Sequence, residues 1–135
     1  MVVMADKSVP TSDHIRDIIS FVEASPTSYH AVAELTRRLE QAGFQRLEET
    51  ESWPSVEGRR YVVRDGAVIA WITPEKVTPQ LGARIVGSHT DSPSFKLKPN
   101  ATVTNQGWQQ VGMEVYGGGL LNSWLDRDLG LSGRL

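Results

Sequence analysis

The sequence predicts an α/β fold, and three observations carry that prediction. Two stretches near its start repeat apolar residues at helical spacing: Ile15, Ile18, Ile19 and Val22 in the first, Val32, Leu35, Leu39 and Ala42 in the second. Two β-branched runs follow, Tyr61-Val62-Val63-Arg64 and Ala67-Val68-Ile69-Ala70-Trp71-Ile72, joined by Asp65-Gly66. A third apolar run, Ile85-Val86-Gly87-Ser88, leads directly into His89-Thr90-Asp91. The order helix, helix, strand, strand, buried strand is that of an α/β layer, in which ligands usually sit beyond the carboxyl ends of strands.

Residues 1–10 read as a flexible tail. Thr11 or Ser12 caps the first helix, and Pro26 ends it. His14 falls in the first turn beside Asp13 and reads as a solvated surface residue. Thr27 or Ser28 caps the second helix, which runs to about Ala42 and is closed by Gly43. Glu34 and Arg38 stand at i, i+4 on its wetter face. His30 begins this helix and reads as a capping or core-edge residue, since no carboxylate stands at a metal-ligand spacing from it.

A polar, acidic connection over 48–57 leads to the two β-branched runs, and the Asp-Gly between them predicts a hairpin with a type I′ turn. Residues 73–82 read as loop. The unalternated Ile85-Val86 fits a strand buried on both faces better than an edge.

Beyond Phe95-Lys96-Leu97-Lys98-Pro99 the texture turns polar, from Asn100 to Gln110, with Asn105-Gln106-Gly107 as a turn. Lys96 and Lys98 alternate with Phe95 and Leu97, as on the solvent face of a strand. Val111 to Tyr116 reads as another strand running into Gly117-Gly118-Gly119. No Lys-Ser/Thr follows these glycines and no helical pattern opens there, so they read as a tight turn or close backbone approach, not a phosphate loop. The stretch from Asn122 keeps its pattern to Leu135 without a cap or polar tail, which predicts a chain cut short of the strands it pairs with. Asp126 and Asp128 flank Arg127 and read as an ion-paired structural triplet ahead of a pair of metal ligands.

Composition narrows the function classes. The chain has 135 residues, 39% hydrophobic and 22% charged, which suits about one soluble globular domain. Its 14 basic and 16 acidic side chains leave a formal net charge of -2, with the basic residues scattered, so there is no electrostatic case for nucleic acid or a membrane surface. Cysteine is absent, so any metal is held by imidazole nitrogen and carboxylate oxygen. No apolar run approaches a signal h-region or a membrane span, and a cytoplasmic protein is the expectation.

His89 and Asp91 are the candidate site. Residues i and i+2 of an extended segment project to one face, so the imidazole and the carboxylate can converge. A ligand histidine commonly donates its second ring N–H to a carboxylate, which fixes its tautomer and raises its basicity. Asp91 suits that orienting part, or a ligand's part of its own.

Several motifs, in order and spacing, resemble one family. They are Ser25-Pro26-Thr27-Ser28-Tyr29-His30; Ile85 to Pro93 with Lys96-Leu97-Lys98-Pro99; Tyr116-Gly117-Gly118-Gly119; and Trp124 to Arg134. The family is the aspartyl aminopeptidases, zinc metallopeptidases, and the likeness covers nearly everything from Ile18 to Leu135. It implies a two-zinc enzyme that removes N-terminal residues from peptides, acidic ones by preference, and assembles as a homo-oligomer. In its motif the residue matching His89 is a zinc ligand, and the one matching Asp91 is the catalytic-site carboxylate that orients it. The resemblance also implies that 11–99 is the N-terminal part of a mixed-sheet catalytic domain. Residues 100–135 would begin an inserted β-rich oligomerisation domain, which supports the structural reading of Asp126 and Asp128. The family's general-base Glu, its metal-bridging Asp and its remaining ligands fall in a C-terminal part, so the chain by itself is expected to be an incomplete, inactive fragment. The competing reading is a non-catalytic remnant or a subunit-interaction module using Gly112 to Leu135. A different His/Asp metallohydrolase would want a second His-x-His or His-x-Asp, and only His14 and His30 remain.

Overall fold

A computed structural model describes residues 11–53, 57–76, 78 and 82–134; the expected tail over 1–10 lies outside them. The elements are α1 (Thr11–Glu23), α2 (Ser28–Gln41), β1 (Gln45–Arg46), β2 (Gly58–Arg64), β3 (Ala67–Thr73), β4 (Ser94–Asn105), β5 (Trp108–Tyr116) and a 3-10 turn at Leu121–Trp124. β1 runs parallel to β2, and β3 antiparallel to β2, in a mixed three-stranded sheet; β4 and β5 form a separate antiparallel pair. The chain divides into two compact units, Met1–Thr90 with Ser132–Leu135, and Asp91–Leu131.

In the first unit, α2 begins at Thr27, whose hydroxyl accepts the His30 backbone N–H at 3.3 Å and lies 2.7 Å from His30 Nδ1. Such a cap contributes about 1 kcal/mol. Gly43, with φ 80, turns the chain out of the helix. The core joins α2 to β2: Ala31, Val32 and Leu39 are buried together with Tyr61 and Val62. Tyr61 is only 1% exposed and its hydroxyl donates to Glu40 Oε1 at 2.6 Å, tying strand to helix.

Two expectations for α2 are corrected. Ala42 is exposed, and Glu34, assigned to the wetter face, is buried. Its burial is tolerable because both oxygens are occupied: Arg37 donates from Nε and Nη2 at 2.7 and 2.6 Å, and Arg38 from Nε at 2.7 Å. Arg38 also reaches both carboxylate oxygens of Asp17 on α1, at 2.8 and 2.9 Å, and lies 5.2 Å from the centroid of the Phe21 ring. The hydrogen bond from Arg37, then that from Arg38, holds the Glu34 carboxyl at about 2. The folded value is depressed, so this stabilisation is full above the unfolded value near 4.5 and is lost as pH falls toward about 2. Glu34→Gln is therefore expected to flatten the acid side of a melting-temperature series over that range. An unchanged acid slope would assign the effect to other groups.

The Asp65-Gly66 hairpin forms, with Arg64 opposite Ala67, but its turn departs from the expected type I′. Asp65 takes the left-handed conformation, φ 50, whereas Gly66 does not, and type I′ needs both. Gly66 is engaged elsewhere: an added Cβ would meet Ser28 Oγ at 2.8 Å, and its carbonyl accepts Thr90 Oγ1–H at 2.6 Å.

The buried strand expected to end at His89 is also corrected. Residues 82–90 adopt no regular secondary structure, with Ile85 88% and Val86 68% exposed. A strand exists through hydrogen bonds to a neighbour, and none of the sheets among the described residues includes this segment. The apolar stripe of α1 shares the condition: Ile15, Ile18, Ile19 and Val22 all stand exposed.

In the second unit, β4 and β5 pair from Ser94↔Tyr116 to Asn105↔Trp108, and Gln106 and Gly107, φ 49 and 80, supply the two left-handed residues of the turn. β4 runs on through the polar stretch that follows Pro99, where the sequence offers no clean alternation. The register shifts between Leu97 and Thr102, so that Lys98 to Ala101 oppose Gly112 alone. This bulge accommodates Pro99, which has no N–H for a ladder. Phe95 meets Trp124 edge-on, ring centroids 5.2 Å apart.

Candidate metal centre

The division between the compact units falls inside the motif, between Thr90 and Asp91. On one side Thr90 is fastened to the Gly66 carbonyl at the tip of the β2–β3 hairpin. His89 precedes it on an exposed stretch. On the other side Asp91 is half-buried, and its Oδ2 accepts the hydroxyl of Tyr116 at 2.5 Å. That bond, more than burial, raises the Tyr116 pKa, so the phenol keeps its proton at neutral pH.

The triple glycine supplies the expected close approach. Gly117 has φ 75, and a Cβ there would sit 3.3 Å from Pro93. Lys96 presents its ammonium 3.5 Å from the centroid of the Tyr116 ring, a cation–π contact. The sequence offers Tyr116 only as the end of a strand and the first residue of Tyr116-Gly117-Gly118-Gly119, with no role of its own; its one local signal is the glycines behind it, which let another segment close in.

The other candidates stay apart. His14 is exposed on α1, and His30 is engaged by its capping threonine. Asp126 and Asp128 are exposed, and Arg127 donates to the Ser123 carbonyl at 3.3 Å. Imidazole and carboxylate, the side chains of His89 and Asp91, are donor types that zinc takes. The number of donors falls short: a zinc centre takes three or four ligands, and among the described residues no three His, Cys, Asp or Glu are grouped to hold a metal ion. Among the same residues no helix is long and apolar enough to cross a membrane.

Comparison with known proteins agrees in sequence and fold. The sequence model for Aminopeptidase I zinc metalloprotease (M18) matches residues 21–135. A Streptomyces avermitilis protein described as probable M18 family aminopeptidase 2 is 55% identical over 122 residues, covering 90% of this chain and 28% of its own length. Among solved structures, the Saccharomyces mApe1 dodecamer superposes with a TM-score of 0.77 at 32% identity, over 86% of this chain and 28% of that one. The Ape4 protein in a complex with Nbr1 gives 0.77 at 41% identity, over 84% of this chain and 22% of that one. The chain thus spans a little over a quarter of the curated relatives it matches, 28% of their length.

Proposed function

Because the chain belongs to the Aminopeptidase I zinc metalloprotease family, M18, we propose that it is part of a zinc-dependent aminopeptidase that removes N-terminal residues from peptides, acidic ones by preference. The observation that carries this is the His89-Thr90-Asp91 motif inside the matched region, with its neighbours tied down on both sides by Thr90–Gly66 and Asp91–Tyr116. His89 holds one zinc of a two-metal centre, and Asp91 orients the imidazole and raises its basicity. Zinc, when bound, lowers the pKa of a coordinated water to about 7 and polarises the scissile carbonyl. The remaining ligands and the general base come from residues beyond those assigned here.

Residues 11–99 are the N-terminal part of the catalytic domain, and the stretch from about residue 100, in the β4–β5 hairpin, opens an inserted β-rich domain through which subunits assemble. The dodecameric state of the mApe1 neighbour supports a homo-oligomer. Peptides are the substrates, the cytoplasm the location.

The 135-residue chain by itself is inactive on this view, since one imidazole and its carboxylate cannot retain zinc usefully. The test is hydrolysis of aminoacyl chromogenic amides with added Zn²⁺ or Mn²⁺. The expected result is no turnover by the isolated chain and turnover, fastest on Asp and Glu amides, by a full protein carrying it. Turnover by the isolated chain that His89→Ala abolishes would overturn the incomplete-site reading. A full protein with no metal-dependent turnover would overturn the aminopeptidase.

A further inference from the structure

Resting on the reading of Asp91 as the carboxylate that orients His89, we infer that Tyr116 is the positioning residue for Asp91: its phenol donates to Oδ2 at 2.5 Å and fixes the rotation of the carboxylate. The terminal torsion of an aspartate is broad and two-fold, so the residue type alone leaves the direction of its oxygens loosely defined. A hydrogen bond from a donor that is itself held removes that freedom.

Tyr116 is held in three ways. It pairs with Ser94 at the base of the β4–β5 hairpin, which fixes its backbone. The Lys96 ammonium lies 3.5 Å from its ring centroid. The next residue, Gly117, lies close against Pro93, where a Cβ would come within 3.3 Å. The segment of Asp91 and Pro93 thus meets the end of β5 at two consecutive residues, by the hydrogen bond at Tyr116 and by close approach at Gly117. With Oδ2 held by the phenol, the plane of the carboxylate is set, and with it the direction both oxygens offer to other donors.

The experiment uses the full protein carrying this sequence, with Tyr116→Phe, Asp91→Ala, the double variant and His89→Ala. Zinc affinity is read by competition with a chromophoric chelator, and the Asp91 carboxylate by isotope-edited infrared difference spectroscopy. Tyr116→Phe keeps the ring over Lys96 and removes only the hydroxyl. It is expected to weaken zinc binding about 3- to 10-fold, the worth of one hydrogen bond, and to shift the Asp91 carboxylate stretch. In the Asp91→Ala background, which leaves no side-chain acceptor for the phenol, it is expected to cost nothing further, because it acts through Asp91. An equal loss in both backgrounds, or no loss while His89→Ala has lost its zinc, overturns the proposal. Zinc held by His89→Ala as tightly as by the parent overturns the metal reading instead. A carboxylate stretch unmoved by Tyr116→Phe overturns the anchor whatever zinc does.

Discussion

Replacing His89 with alanine in the full protein is expected to lower kcat/KM by more than about 100-fold and to remove one zinc per subunit. The bound comes from the hierarchy of the site: losing an outer partner of a metal ligand typically costs about 10- to 100-fold in affinity or activity, and losing the ligand costs more. Asp91→Asn, which keeps the shape and removes the charge, is expected within that 10- to 100-fold range. The fold should survive His89→Ala, because His89 is exposed on a segment without regular structure, and such surface changes usually stay within about 0.5 kcal/mol. A metal-free thermal midpoint close to the metal-free parent's, with zinc content, rate and the midpoint rise on adding zinc all diminished, is the expected combination. Parent-like zinc content and rate would sink the assignment of His89 as a ligand.

Tyr61→Ala is expected to cost about 3 to 5 kcal/mol, the range for emptying a large aromatic from a packed interior. The core that Tyr61 completes is small, with Ala31, Val32, Leu39 and Val62 as its other buried apolar members among the described residues. Burial first, and then its bond to Glu40, push the phenol up to about 12, so it remains a neutral donor over the whole physiological range. Tyr61→Phe separates the two contributions: it keeps the ring and is expected to lose only about 1 kcal/mol, the net value of one hydrogen bond. Since domains are stable by only about 5 to 15 kcal/mol, Tyr61→Ala should bring the urea midpoint close to unfolding under mild conditions. A loss below about 1 kcal/mol for Tyr61→Ala would show that this interface is not the core of the first unit.

What the sequence determined by itself lies within a few residues of each signal. Thr27 with Gly43 bounds α2, Asp65-Gly66 and Gln106-Gly107 mark hairpins, and His89-Thr90-Asp91, with the ordered motifs around it, identifies the family. Caps, turn residues and helical period act locally, so they can be read without knowing what lies across the fold. Tertiary structure decided everything that depends on a partner. Glu34 stands at a polar position in the pattern, yet it is buried because Arg37 and Arg38 close on it. Ile85 and Val86 are apolar enough for an interior strand, yet remain exposed because none of the sheets among the described residues takes them in. The polar residues after Pro99 form a strand because β5 supplies the ladder. At the candidate site the sequence displayed the imidazole and the carboxylate, and the fold added Tyr116, separated from Asp91 by the whole length of a hairpin. A hydrogen bond between residues so far apart leaves no local spacing to read; the pairing of Ser94 with Tyr116 carries the tyrosine back beside the segment of Asp91, where donor and acceptor stand at 2.5 Å.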